Sequence, residues 1–482
     1  VIALLLTATA LALLTVAHAG GERGRGARWA RARELRRLHR RGVWGRLTGR
    51  PPEARLALGR HARRLLCAEA RHALIAFGPP QSGKSAGLAI PALLEWDGPA
   101  VASSIKNDLL AATIDRRRTL GEVLIFDPFS LSGQRGHGWS PLRAAETWDG
   151  ALEMAWRLAA AGELDQRSVE GGDFWAVAAE QRLAPLLFAA ARAADGIDAL
   201  VAWAYGQRAR ELETVIGSCA ERARTPGEAA DARAAYDATH AFTAQADRTR
   251  SSIEATVQGL LRAYRFRRVA ASAAVCEITP ERILGGRSTL YLIGDAKASK
   301  LLRPLFLALL GELIDAAYER ANGSGGALAL PLLLCLDEAG NVAPIPNLAE
   351  IASTAPSHNI QIVSIFHDLT QARARYGRGA DTVVNSHRAR LLLPGVADLE
   401  TLRFFSDLLG EAEVREVTRT SGRGGSTASR GRRRVPLAAA ETLRQLPEAH
   451  ALLLYGRLPP VRIRLRRWFE DRRLRRLARG TP

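Results

Sequence analysis

The chain has 482 residues, 68 basic and 49 acidic side chains, a formal charge of +19 and 47% hydrophobic residues. This composition excludes a disordered polycation and leaves enough apolar surface for a large core divided into two or three domains. Its four cysteines, Cys67, Cys219, Cys276 and Cys335, lie far apart with no CxxC pair; that argues against a disulfide scaffold or structural zinc and for a reducing compartment.

The charge is concentrated in two flanks. Residues 20–72 carry 16 Arg against four Glu, residues 415–482 carry 18 Arg against five acids, and residues 73–414 are net −6. Overall basicity therefore does not by itself mark a nucleic-acid binder. All but four of the basic residues are Arg, so Lys84, Lys106, Lys297 and Lys300 are the more informative cations.

At the N-terminus, residues 1–21 contain no Asp, Glu, Lys or Arg. A run of this length suits a membrane span of roughly 20 residues. A signal peptide ending at Ala17-His18-Ala19 and a buried core helix are the competing readings. The nine arginines from Arg23 to Arg41 favour an anchor whose following segment stays on the cytoplasmic side. The expectation is a transmembrane anchor at 1–19 in the inner (cytoplasmic) membrane and a basic juxtamembrane linker at 20–70. The rest of the chain would then face the cytoplasm. Because the chain opens at Val1, an alternative start codon or a further upstream segment is left open. The Arg-rich stretch from Trp29 to Arg50 suits anionic lipid headgroups better than DNA.

Next comes the buried-strand run LIAF (Leu74 to Phe77), then Gly78-Pro79-Pro80-Gln81-Ser82-Gly83-Lys84-Ser85, then a helical pattern. This is a phosphate-binding loop in its required strand and helix context. Glycines let backbone N–H groups curl around phosphates, Lys84 reaches the terminal ones, and Ser85 can ligate Mg²⁺. The absence of an NKxD-like base-reading motif favours ATP over GTP.

Residues 99–108 and 121–128 read as two further strands, so this part predicts an α/β fold with a parallel, doubly wound sheet. Residues 151–262 are Ala-rich with helical periodicity and predict an all-α insertion. Strand patterns return at residues 288–294, 328–338, 360–366, around 388–395 and around 450–456. The resulting division is 71–150 for the first part of a nucleotide-binding domain, 151–262 for the insertion, 263–470 for the second part and 471–482 for a basic tail. Residues 421–434, SGRGGSTASRGRRR, read as a mobile exposed loop.

The run LALPLLLCLDE (328–338) ends in Asp337 and Glu338, at the strand end where open α/β sheets bind ligands. Asp337 is a candidate for the metal, and Glu338 for orienting or deprotonating the attacking water. A surface acid pair after a core strand is the alternative reading.

Taken together, GPPQSGKS, SSIKNDL, IFDPF followed by WSPL, Phe174-Trp175, RSSIEATV, CLDEAGNVAPIPNL and YGRGADTVVNSHRARLLLPG resemble the TraG/TraD-type coupling proteins of type IV secretion and conjugation. The resemblance implies a RecA-like P-loop ATPase with an inserted all-α domain that recognises cargo. It also implies homo-hexamers at the membrane and ATP-driven export of a relaxase-bound DNA strand or an effector protein through the secretion channel. Two positions depart from the family. His367 stands where relatives place a γ-phosphate-sensing Gln, and His358 where they often carry an Arg for the neighbouring subunit. That Arg role could fall instead to Arg373, Arg375 or Arg388. Lys106 and Asp108 are expected on the ligand side of the sheet, touching nucleotide or simply starting a helix. An FtsK/SpoIIIE-like DNA translocase and an ATP-binding docking adaptor with little turnover are the alternative functions.

Overall fold

Short apolar runs without polar alternation build strands that are covered on both faces. The computed structural model describes residues 26–39, 55–166, 172–422 and 425–481. The anchor expected at 1–19 lies outside these residues, and no helix among the described residues is long and apolar enough to cross a membrane.

The strands are β1 (Ala57–His61), β2 (Arg64–Cys67), β3 (Leu74–Phe77), β4 (Ala100–Ser104), β5 (Val123–Phe126), β6 (Thr289–Ile293) and β7 (Leu332–Leu336). They continue with β8 (Ile360–Phe366), β9 (Ala389–Leu392), β10 (Glu411–Gly422), β11 (Gly425–Pro436), β12 (His450–Tyr455) and β13 (Val461–Arg464). Eleven form one sheet in the order β2-β1-β13-β12-β9-β3-β8-β7-β4-β6-β5, while β10 and β11 form a separate ribbon. From β9 to β5 the pairing is parallel. The remaining four strands extend this sheet antiparallel past β9.

Successive side chains of the central strands feed two cores, as the two-residue strand period requires. Ile75, Phe77, Leu334 and Leu336 face one; Leu74, Ala76, Leu333 and Cys335 face the other. The first is covered by the helix Ala296–Gly323 and by helices from the stretch between β5 and β6. The second is covered by Ile90–Glu95, Asp108–Leu120 and Arg472–Ala478.

Three segments differ from their sequence reading. The expected linker contributes β1 and β2 to the sheet, because Leu56, Leu58 and Leu66 bury themselves in the second core. The expected basic tail holds the helix Arg472–Ala478, pinned by buried Leu474 and Leu477. The expected loop at 421–434 lies within β10 and β11 apart from residues 423 and 424, which lie outside the described residues. There the two polar stretches pair with each other in continuous register, which satisfies their backbone groups.

Between β5 and β6 the regular elements among the described residues are all helices, the first starting at Ala144 and the last ending at Leu284, a stretch wider at both ends than 151–262. The helices Trp148–Gln166 and Gly172–Ala190 share the first core with the sheet. Arg157 pairs with Asp315 at 2.8 Å, and the Trp139 indole donates to Glu312 at 2.9 Å. These contacts tie the stretch between β5 and β6 to the helix Ala296–Gly323.

Two buried polar side chains knit the sheet together. Arg117 is fully buried and donates to Thr289 Oγ1 at 2.6 Å and to the carbonyls of Trp96 and Gly98, each at 2.6 Å. His387 is also fully buried; its Nδ1 donates to the Val383 carbonyl at 2.7 Å, so its Nε2 accepts from the Ser364 hydroxyl at 3.1 Å. Burial pushes the His387 imidazole down to about 4. The unfolded chain takes up this proton near pH 6.5, so it binds more protons than the folded chain between about pH 6.5 and 4. The stabilisation is complete above that window and is lost as pH falls through it, by up to a few kcal/mol. Chemical denaturation midpoints from pH 7.5 to 4.5 are expected to fall less steeply for His387→Gln than for the parent. Equal slopes would disprove the assignment.

Candidate active site

The loops after β3, β8, β7 and β4 all leave from the same edge of the sheet, since Phe77 pairs with Phe366 and Leu336 with Ser103 and Ser364 in parallel register. The strand order therefore brings together three segments that are distant in sequence. The Gly78–Ser85 loop follows β3, His367 ends β8 beside it, and Asp337 and Glu338 end β7 one strand further on.

The loop's shape depends on its glycines. A Cβ at Gly78 would sit 2.5 Å from Ser82 Oγ and 3.0 Å from Leu393 Cβ, and Gly83 has φ +88°. Gln81 also takes a left-handed conformation, at φ 67°. The following helix opens with a widened, π-type turn (Ser85–Ala89) before Ile90–Glu95. Turns of this kind are frequent at functional sites.

Ser85 Oγ donates to Asp337 Oδ2 at 2.6 Å, and Lys84 Nζ to Glu338 Oε1 at 3.0 Å. His367 Nε2 lies 3.0 Å from Glu338 Oε2, which also accepts from Asn341 Nδ2 at 3.0 Å. The His367 backbone N–H donates to Gln371 Oε1 at 2.9 Å, fixing the start of the loop after β8. Glu338 itself has φ 59°, a conformation that costs a non-glycine residue about 1 kcal/mol or more. It is held there by Asn341 and Val342 donating to its carbonyl and by Ala339 donating to Ile365.

The two carboxylates are tuned in opposite directions. Burial drives Asp337 up to about 6, against the Ser85 hydroxyl and the Lys84 charge. Burial also pushes Glu338 up, but the donors His367, Lys84 and Asn341 outweigh it and hold the acid at about 2. Glu338 is thus an anion at neutral pH. Asp337 is 2% exposed, and among the described residues its Oδ1 has no hydrogen-bond partner, nor does Ser82 Oγ. An orphaned carboxylate oxygen beside a serine hydroxyl suits a hard divalent cation such as Mg²⁺, which takes oxygen ligands.

The other candidates are spread over the molecule. Lys106 and Asp108 follow β4 on the ligand side and are exposed; Asp108 Oδ1 accepts from the Leu109 N–H at 2.8 Å. Arg375 Nε donates to the Gly340 carbonyl at 2.7 Å, beside the Glu338–Asn341 turn. Arg373 pairs with Asp381 at 3.0 Å and with Glu400. His358 precedes β8 and Arg388 precedes β9, so both lie at the opposite sheet edge from the loop. His358 packs edge-on against Tyr318, and Arg388 lies 3.8 Å from Glu69 and over the Tyr455 ring. Sequence reasoning passed over Asn341 and Gln371. The signal for Asn341 was its spacing of three residues after Glu338 within DEAGN.

The model of the family described as type IV secretory system conjugative DNA transfer matches residues 29–479. The conjugal transfer protein TraG of Escherichia coli is 24% identical over 375 residues, covering 73% of this chain and 57% of its own length. Protein VirD4 of Rhizobium rhizogenes is 21% identical over 417 residues, covering 85% of this chain and 60% of its own. The chain thus spans somewhat over half the length of these curated relatives. Among solved structures, the bacterial conjugative coupling protein TrwB (deltaN70, unbound) superposes with a TM-score of 0.65 at 18% identity, covering 92% of this chain and 94% of its own. TrwB in complex with ADP and Mg²⁺ gives 0.64 at 18% identity over the same shares. The sheet with its loop after β3 therefore has the fold of TrwB, and the chain belongs to the type IV secretory system conjugative DNA transfer family.

Proposed function

We propose that this chain is a membrane-anchored ATPase coupling protein, which recruits a relaxase-bound DNA strand or an effector protein and drives it into a type IV secretion channel. The observation that carries this reading is the cluster of Lys84, Ser85, Asp337, Glu338 and His367 at one edge of the central sheet. The solved relatives in complex with ADP and Mg²⁺ and with a non-hydrolysable ATP analogue support it.

In this reading the Gly78–Ser85 loop receives the phosphates of ATP, whose charge draws Lys84 away from Glu338. Ser85 and Asp337 would hold Mg²⁺, which neutralises phosphate charge when bound. Glu338, released from Lys84 but still oriented by Asn341, orients the attacking water and takes its proton. His367 then donates a hydrogen bond to the γ-phosphate in place of the family's Gln, and Arg375 supports the turn carrying Glu338. A homo-hexamer would place a neighbour's cation at the open side of this site. The apolar residues 1–19 would anchor the assembly in the inner membrane with the ATPase domain in the cytoplasm.

Steady-state phosphate release by the full chain, with and without single-stranded DNA, tests the reading. Lys84→Ala is expected to lower turnover by about 10²-fold or more, because phosphate charge goes uncompensated. Turnover that survives Lys84→Ala would refute the assigned site, and full DNA-stimulated turnover by a strict monomer would refute the hexamer.

A further inference from the structure

The helix Leu369–Tyr376, which follows β8, meets the turns after β7 and β8 with two side chains one turn apart. Asp368 caps this helix by accepting the Gln371 N–H at 2.6 Å. In an ordinary capping box the third helical residue reaches back to the backbone N–H of the cap itself. The Gln371 side chain reaches one residue further. Its Oε1 accepts at 2.9 Å from the N–H of His367, the residue whose ring nitrogen lies 3.0 Å from Glu338. Four residues on, and therefore on the same helix face, Arg375 Nε donates to the Gly340 carbonyl at 2.7 Å.

Gly340 shapes the other side of this contact. A Cβ there would lie 3.0 Å from Gln371 Cδ, 3.1 Å from its Cγ and 3.3 Å from its Oε1, so its three nearest neighbours would all be atoms of one side chain. Gly340 does not take a left-handed conformation, so its backbone would accept alanine; the missing Cβ makes a seat for Gln371. The half-buried Gln371 side chain thus lies between two backbones that carry the candidate chemistry. Gly340 sits between Glu338 and Asn341, whose Nδ2 donates to Glu338 Oε2 at 3.0 Å, and His367 ends the neighbouring strand.

We propose that Gln371 is a positioning residue for ATP hydrolysis: seated against Gly340, its side chain locks the turn after β7 to the end of β8 and so holds His367 and Glu338 together. This rests on the reading of Lys84, Glu338 and His367 as a hydrolytic site. Gln371 acts through the His367 backbone and the Gly340 turn. The two turns leave different strands, so the distance from His367 to Glu338 depends on contacts between them. A displacement of about 1 Å among reacting groups can cost about 10²-fold in rate.

The test compares kcat for ATP and affinity for a fluorescent ATP analogue in the full chain, Gln371→Ala, Gly340→Ala and the double variant. Gln371→Ala is expected to lower kcat at least about tenfold while affinity stays within about twofold, because the Gly78–Ser85 loop is untouched. Gly340→Ala should lower kcat to a similar extent, since its new Cβ displaces the amide from its seat. In the double variant the loss should be no greater than in the weaker single variant, because both changes act on one contact. Retained affinity shows that each variant is folded. A kcat for Gln371→Ala within about twofold of the parent, affinity that falls in step with kcat, or losses that multiply in the double variant would overturn the proposal and leave Gln371 a part of the helix start only. Lys84→Ala reads the underlying site separately. A parent that has no turnover, or whose turnover survives Lys84→Ala, loses the hydrolytic site and this inference with it. Turnover abolished by Lys84→Ala but indifferent to Gln371→Ala removes the positioning role alone.

Discussion

Glu338→Gln is expected to abolish ATP turnover while leaving nucleotide binding intact. The substitution keeps the shape of the side chain and leaves an oxygen for Asn341 to bond, but it removes the group that takes the proton from water. Loss of a general base costs about 10²- to 10⁴-fold. Binding should be preserved or tightened, because Lys84 is now held by Glu338 at 3.0 Å and must leave it to meet phosphate. A neutral amide holds an ammonium less strongly than a carboxylate does. The two readouts separate Glu338 from Lys84, whose loss weakens binding as well. Single-turnover hydrolysis and equilibrium titration with a fluorescent ATP analogue check the pair of expectations. Turnover within tenfold of the parent would remove Glu338 from the mechanism.

Arg117→Met is expected to destabilise the fold by about 2–6 kcal/mol, the sum for two buried carbonyls left without a donor. Arg117 is completely buried and has no carboxylate partner among the described residues; instead it collects the carbonyls of Trp96, Gly98, Arg287 and Leu93 and the hydroxyl of Thr289. Burial lowers the guanidinium to about 10, so it remains charged at neutral pH. Methionine fills much of the volume but leaves the Trp96 and Gly98 carbonyls without this donor, at about 1–3 kcal/mol each. Arg117→Lys should recover little, since an ammonium has three donors and cannot reach acceptors spread around a planar fork. Denaturant midpoints compared at constant slope give the number. A change below about 1 kcal/mol would show that water replaces the guanidinium readily.

Glu338 and Arg117 also differ in how visible they were in the sequence. The phosphate loop, the strand before it and the helix after it are contiguous, so glycine placement and the apolar run sufficed to locate them. Asp337 and Glu338 were legible because an apolar strand ended in two acids. Arg117 was not, because one arginine in the run Arg116-Arg117-Arg118 looks like its neighbours until burial distinguishes it. Asn341 and Gln371 were missed for a similar reason: their contacts form only when two turns meet at the sheet edge. The ribbon was read as a loop because glycine is depleted in strands and a serine- and glycine-rich run carries loop signals, whereas its strands form by pairing with an equally polar partner.

By itself, then, the sequence determined the short-range features. These are the alternation of apolar strands and helices, the phosphate loop, the acid pair, the helical insertion and the charged flanks, all encoded within windows of a few turns. The tertiary structure alone decided which of them meet. Lys84 and Glu338 are 254 residues apart and Ser85 and Asp337 are 252 apart, and they converge because β3, β8 and β7 pair in an order unlike their order in the chain. Strand order, like the joining of β1 and β2 to a sheet whose other strands lie far along the sequence, is selected by which apolar faces bury one another. That long-range choice leaves no local signature in the residues that make it.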